Sequence, residues 1–296
     1  MTTSRGELRN LVKGLAFLSP WMIGFAAFTA IPIGLSAYFS LCNYPLLQPP
    51  VFVGAQNYTD LVHDGVFWQS LWNTLYYALL ALPLGMAIAI GAALLLNSKI
   101  RGLSIYRTLI FLPSLTPAVA GAMIWLWLFN SKLGLINLVL QKLGVAHPPG
   151  WLVSPRWAMP SLALMSFWGI GNTVVIYLAG LQDVPRELYE AAEIDGAGGL
   201  DRIWHVTLPC ISPVIFFNLV MAIIGVVQNF TAPYIMTGGG PARATYFYTM
   251  YLYDNAFRYL RMGYASAMAW VQFLLVLALT GLAFWSARHW VHYQGR

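Results

Sequence analysis

The chain has 296 residues, of which 59% are hydrophobic, 15% aromatic and only 9% charged. Soluble globular chains carry about 45–50% apolar and about 25% charged residues, so 16 Lys+Arg and 10 Asp+Glu are too few to clothe a water-facing surface of this size. This balance excludes an ordinary soluble enzyme and a disordered or collagen-like chain, and the 12 tryptophans fit anchors at a lipid boundary.

The charges are clustered. None falls in residues 14–59, 65–98, 108–131, 157–182, 203–242 or 262–287, and each gap exceeds the roughly 20 apolar residues that an α-helix needs to cross a bilayer. Six spans are therefore predicted, near 14–40, 71–97, 106–130, 158–181, 210–235 and 263–287. The apolar run from Gly14 to Leu41 is too long for the core of a signal peptide and no A-x-A site follows it, so it reads as a retained first span. Cys42–Asn57 contains Pro45, Pro49, Pro50 and Gly54 and reads as a loop. Pro32, Pro83, Pro117 and Pro233 lie in or near spans, which predicts kinked helices whose freed backbone groups find partners on neighbours. A barrel is excluded, because the runs are continuous rather than alternating. The domain reading is a tail over 1–13, a transmembrane domain over 14–287 and a second tail over 288–296.

Lys and Arg set the orientation. Arg5, Arg9, Lys13, Lys99, Arg101, Arg107, Arg186, Arg202, Arg288 and Arg296 fall on one side; Lys132, Lys142, Arg156, Arg243, Arg258 and Arg261 fall on the other. The positive-inside rule then places both termini in the cytoplasm. Cys42 and Cys210 fall at opposite ends of the bilayer, beyond the about 7 Å over which a disulfide closes, so both are expected as thiols.

Reaction chemistry is sparse. The five histidines form no H-x-x-x-H pair and there is no C-x-x-C. No Asp, Glu, His or Lys lies within a span, and Arg107 stands only at the edge of one, which weakens a proton-coupled pathway. None of the four lysines follows a glycine, so no phosphate-binding G-x-x-x-x-G-K-[ST] loop is present. Uphill transport would need a nucleotide bound by another chain. The +6 balance is explained by membrane anchoring, without nucleic acid.

Between the fourth and fifth spans the charge reverses. Asp183, Glu187, Glu190, Glu193, Asp195 and Asp201 are six of the ten carboxylates, faced by only Arg186 and Arg202. Pro185 suits the first helical position, and Leu188, Tyr189, Ala191, Ala192 and Ile194 give the following turns one apolar side. Gly196, Gly198 and Gly199 break the helix, and a second turn over Asp201–Val206 leads to Leu208-Pro209. From charge alone this is a solvated loop helix; with apolar residues among the carboxylates it also fits the groove of a cytoplasmic partner.

The spacing Glu190-Ala191-Ala192, Asp195-Gly196-Ala197, Ile203, Val206 and Leu208-Pro209 resembles the EAA loop of bacterial ABC importer permeases, here residues 182–209. Thr237-Gly238-Gly239-Gly240-Pro241, Tyr251-x-Tyr253, Ala256-Phe257, Gly263-Tyr264-Ala265, Asn57-Tyr58 and Asn73-Thr74 resemble the maltose-type and glycerol-phosphate-type first permeases of carbohydrate uptake. The resemblance implies an all-α polytopic fold of six helices in the bacterial inner membrane. It implies a second related permease, two ATPase subunits that bind ATP and Mg, and an extracytoplasmic sugar-binding protein; this chain itself is expected to bind no cofactor and no metal and to perform no catalysis. Glu190, Ala191, Ala192, Asp195 and Gly196 would form the helix that couples to an ATPase. The solute implied is a mono-, di- or oligosaccharide or a sugar derivative.

A sugar needs amides, hydroxyls and flat aromatic faces. Candidates within spans are Ser114, Thr116, Trp168, Gly169, Asn172, Gln228, Asn229, Tyr234 and Gln272. By offset from the loop, the resemblance puts solute contact on Ser114, Trp168, Gly169, Asn172 and Asn229, with only Asn229 keeping the family's amide. The opposing reading is that buried amides join helices by hydrogen bonds, and Gln228 and Gln272 are assigned that role. Trp125, Trp127, Trp151 and Trp285 are expected as interfacial anchors. The amphipathic Leu133–Leu143 segment is expected along the outer interface or under the binding protein. An ATP-independent secondary carrier would need coupling-ion ligands in broken helices and usually an internal repeat, and neither is found. A membrane-embedded enzyme on lipid-linked sugar would need a carboxylate or histidine cluster, also not found.

Overall fold

The computed structural model describes residues 5–98 and 101–292, so Lys99 and Arg296 of the charge pattern, and residues 1–4 and 293–296 of the two tails, lie outside the described residues. In chain order the helices are α1 (Arg5–Phe25), which passes through a π-helical turn (Ala26–Ala30) into α2 (Ile31–Ser40), α3 (Gln56–His63) and α4 (Gly65–Leu96). Next come α5 (Leu103–Phe111), α6 (Ala118–Leu128), α7 (Leu135–Lys142), α8 (Pro155–Ser166) and α9 (Gly171–Gln182). The remainder are α10 (Arg186–Ile194), α11 (Gly199–Arg202), α12 (Leu208–Cys210), α13 (Ser212–Val227), α14 (Thr231–Met236), α15 (Tyr248–Tyr253) and α16 (Met262–Trp290). Among the described residues four stretches are long and apolar enough to cross a membrane unbroken: Arg9–Ser40, Gly65–Leu96, Ser212–Met236 and Met262–Trp290. Two bent pairs supply the third and fourth spans, which gives six.

The bends are sharper than the prolines alone predict. Leu103–Leu115 and Ala118–Leu128 meet at 102°, and Pro155–Gly169 and Gly171–Gln182 at 52°. In the first, Thr116 is extended and Pro117 follows at ψ 139°, which no helix can continue through. In the second, the 3₁₀ turn Phe167–Gly169 closes at Ile170, and the next helix starts at Gly171. A Cβ on Gly171 would stand 2.7 Å from the Ile110 carbonyl and 2.9 Å from Phe111 Cα. The two broken segments therefore cross backbone to backbone, a contact that only glycine permits. By contrast Pro83 sits inside an uninterrupted α4.

The chain divides into two compact units. The first comprises Met1–Asp64 and Leu252–Val271. In place of a plain loop after the first span, Cys42–Asn43 pairs antiparallel with Val51–Phe52, and α3 follows. Asn57 Nδ2 donates to the carbonyls of Ser40 and Cys42, each at 2.9 Å, and Tyr58 OH donates to Ser40 Oγ at 2.9 Å. Tyr264 OH donates to Asp64 Oδ2 at 2.6 Å, and Gly263 lies hard against the Cys42 carbonyl. The Asn57-Tyr58 and Gly263-Tyr264 motifs are thus tethers: Asn57 satisfies backbone carbonyls, and the two tyrosines bond side-chain oxygens.

The second unit comprises Gly65–Tyr251 and Gln272–Arg296. Helix α4 is its spine, packing on α8, α9 and α13. Ala89 and Ala93, both fully buried, let α9 approach with Val174, Tyr177 and Leu178, the small-residue contact by which helices associate in lipid. Tyr77 and Ala81 pack with Ala122, Phe129, Leu162 and Phe247. Asn73 Nδ2 donates to the carbonyls of Arg243 and Tyr246 at 2.8 and 3.1 Å, and Thr74 Oγ1 accepts from the Tyr248 amide at 3.0 Å. These two residues clasp the turn that starts at Thr237-Gly238-Gly239, where both glycines have positive φ. Gln272 Nε2 donates to the Val227 carbonyl at 3.0 Å, which is the helix-joining role expected of it. Trp125 and Trp151 are half-buried: each packs on Phe129, and Trp151 Nε1 donates to the buried Asn137 Oδ1 at 2.6 Å. Trp127 and Trp285 are exposed as expected of anchors. Both cysteines are free.

Candidate functional site

Two features of the second unit stand out, an exposed knuckle between α9 and α13 and a neutral cavity at the helix breaks. In the knuckle, Pro185 stands one place earlier than expected, as the N-cap of α10. The helix ends where Gly196 adopts φ +77°. There the Gly196 amide donates to the Glu193 carbonyl at 3.1 Å and the Ala197 amide to the Ala192 carbonyl at 2.9 Å, the paired bonds of a Schellman cap. The second element starts at Gly199 rather than Asp201, because Asp201 Oδ2 accepts from the Gly198 amide at 3.2 Å and caps it there. A π-helical turn, Ile203–Thr207, carries it on towards Leu208-Pro209.

Two bonds tie the arms together. Tyr189 OH meets Thr207 Oγ1 at 3.0 Å, and since that hydroxyl donates to the Arg202 carbonyl at 3.2 Å, the phenol is the donor. Arg202 pairs with Glu193 at the surface, where an ion pair contributes little. The apolar residues of α10 do not form one side. Tyr189 and Ala192 are half-buried, whereas Leu188 and Ala191 face out and Ile194 is 87% exposed. Leu200 and Trp204, at 74% and 67%, extend the outward patch. Sequence reasoning passed over this pair, although they flank the matched Ile203. Glu190, Asp195 and Gly196 are exposed beside the patch. Exposed leucine, isoleucine and tryptophan rimmed by carboxylates is the composition of a contact surface.

The cavity, about 420 Å³, is lined by Ser114, Thr116, Trp168, Gly169, Gln228 and Asn229, together with Met165, Ser166 and Phe230. Its walls are the turns where helices break, and no lining residue is charged. The size falls in the range of about 300–1,000 Å³ typical of small-molecule sites. Trp168 meets Trp125 edge to face at 6.2 Å, and Phe230 stacks on Tyr234 at 4.8 Å. Of the five predicted contact residues, Ser114, Trp168, Gly169 and Asn229 come together here. Asn172 does not: it lies past the Gly169–Gly171 break and is exposed outside the lining. Gln228, assigned to join helices, is exposed on the cavity wall. Ser166 was not singled out; its position two residues before Trp168 was the available signal.

A six-span helical chain with a solute-sized neutral cavity and a projecting contact knuckle is a membrane transport subunit. Residues 81–291 match the family model of the binding-protein-dependent transport system inner membrane component. The chain is 40% identical, over all of its length and 97% of the relative, to the probable ABC transporter permease protein YesP of Bacillus subtilis (strain 168). It is 35% identical to the lactose transport system permease protein LacF of Rhizobium radiobacter, over 97% of this chain and 98% of that one. Its fold matches that of a chain in the crystal structure of a bacterial ABC transporter involved in the import of the acidic polysaccharide alginate, with a TM-score of 0.83, 24% identity and coverage of 96% of this chain and 97% of that one. The chain belongs to the binding-protein-dependent transport system inner membrane component family, as a permease and not an enzyme.

Proposed function

We propose that this chain carries a carbohydrate across the bacterial inner membrane through the cavity lined by Ser114, Trp168, Gly169 and Asn229, driven by ATP hydrolysis on separate subunits. The knuckle carries the reading. A surface combining Leu188, Ile194, Leu200 and Trp204 with Glu187, Glu190 and Asp195 is costly to leave in water and fits a groove on another protein. Its Schellman turn and the Tyr189–Thr207 bond make it stiff enough to transmit a push. The neutral, amide- and aromatic-bearing cavity and the lactose permease among the relatives support a sugar as solute.

In this reading the partners are a second related permease, two ATPase subunits that bind ATP and Mg, an extracytoplasmic sugar-binding protein and the surrounding lipids. Both termini and the 182–209 loop face the cytoplasm. The solute site alternates between faces by a rigid-body switch of the helices. The test is uptake by cells carrying Glu190→Lys or Gly196→Pro. Both abolish uptake and solute-stimulated ATP hydrolysis while the chain still inserts; full uptake by either variant contradicts the reading.

A further inference from the structure

Beside the 420 Å³ cavity lies a second one of about 290 Å³, walled by α4, the break between α8 and α9, and α13. None of its lining residues is charged, and Ser166 lines both cavities. The second cavity is displaced towards the knuckle. Its Asn218 lies about 9 Å along α13 from Ser212, where that helix leaves the knuckle, at about 1.5 Å per residue. Gln228 and Asn229 of the first cavity follow the far end of the same helix. Span four agrees, because Trp168 of the first cavity precedes Thr173 of the second on the way to the knuckle.

Asn218 is 6% exposed. Its Nδ2 donates to the Val214 carbonyl at 2.9 Å, one turn back on its own helix. A carbonyl oxygen only accepts, so this bond fixes which end of the amide is the nitrogen. With the nitrogen turned onto α13, Oδ1 points away from that turn, and among the described residues it has no partner. A buried amide that joins helices behaves differently: Gln272 reaches from α16 to the Val227 carbonyl of α13. Asn218 bonds no neighbouring helix, so packing does not account for it. An acceptor buried in an apolar span is costly to leave unpaired, and a solute hydroxyl supplies the missing proton. The same cavity holds the Thr173 hydroxyl and the ring of Phe167, which lies over Gly85 where a Cβ would stand 3.6 Å from it. Like the first cavity, it thus combines an amide, a hydroxyl and an aromatic ring.

We propose that the second cavity is a second solute station on the knuckle side of Ser166, taking one sugar ring whose hydroxyl donates to Asn218 Oδ1. This rests on the first cavity being the solute site. A path that holds its solute by a few bonds at each of two places lets it leave as readily as it enters.

The probe is the sugar that the complete transporter, in vesicles with its partner subunits and binding protein, accumulates fastest from a panel of neutral and acidic mono- to pentasaccharides. In a Cys42→Ser, Cys210→Ser background, Thr116→Cys reports on the first cavity and Thr173→Cys on the second. The rate at which a small thiol reagent labels each cysteine in the solubilised complex is measured against sugar concentration. Saturating sugar slows both about fivefold or more. Asn218→Leu keeps the bulk and removes the acceptor. It raises about tenfold the concentration that half-protects Thr173→Cys and leaves Thr116→Cys unchanged. Protection of Thr173→Cys is read with Asn218 intact, so it decides the matter even where Asn218→Leu fails to assemble. Protection of Thr116→Cys alone, or protection of Thr173→Cys that Asn218→Leu does not weaken, overturns the inference while the cavity reading stands. If neither cysteine is protected, or no sugar is accumulated, both fall.

Discussion

The knuckle and the cavity are built on opposite plans. The knuckle is one short stretch of chain, charged and exposed, held by bonds between residues no more than 18 apart. The cavity is neutral and is assembled at the two broken spans and the turn between α13 and α14, from residues as distant as Pro113 and Ala232. A surface that meets another protein can be local, because the partner supplies the rest of the site. A solute pathway has to be enclosed, and in lipid the backbone can leave the helix only where it is buried or lines a cavity. The broken third and fourth spans meet that requirement.

This contrast can be broken from either side. The largest effect is expected at the crossing of the broken helices. Gly171→Val forces side-chain atoms into the Ile110 carbonyl and Phe111, with a cost on the order of 3 kcal/mol. Thermal denaturation of the solubilised complex should show a clear drop in melting temperature. An unchanged value means that the 102° and 52° bends do not meet at this glycine.

Next in size, Asn229→Ala should lower uptake about tenfold, the loss expected for one hydrogen bond to the solute. Asn172→Ala, which removes an exposed amide outside the cavity lining, should stay within about twofold, as surface substitutions do. Equal losses at the two positions would place the solute across the break rather than in the cavity.

The smallest effect is expected inside the knuckle. Tyr189→Phe removes the bond to Thr207 and costs about 1 kcal/mol. The solute-stimulated share of ATP hydrolysis should fall while uptake continues at a reduced rate. A coupling ratio equal to the wild type would show that the knuckle is stiff without this tie.

The two regions were also unequally legible. The uncharged runs announced the six spans, and the glycines and carboxylates announced the knuckle, since the spacing of Asp195-Gly196 behind Glu190 is a local property. What escaped was set by distant contacts. Leu188 and Ile194 face outward although the sequence reading groups them with Tyr189, because only Tyr189 packs against the core of α4 and α9. That Trp125 and Trp151 both pack on Phe129 could not be read from their places near span ends. The severity of the bends could not be read from Pro117 alone, because Pro83 leaves its own helix intact and only packing distinguishes the two.

The account depends above all on the knuckle being gripped by a partner on the cytoplasmic side. The direct measurement uses Ile194→Cys in a background where Cys42 and Cys210 are serine. Intact cells are treated with a membrane-impermeant thiol reagent, and membranes of the assembled transporter are then treated with a short bifunctional cross-linker. The account predicts no labelling from outside and a cross-link to an ATPase subunit whose yield changes when ATP is bound. Labelling in intact cells, or no cross-link to any subunit during turnover, contradicts it.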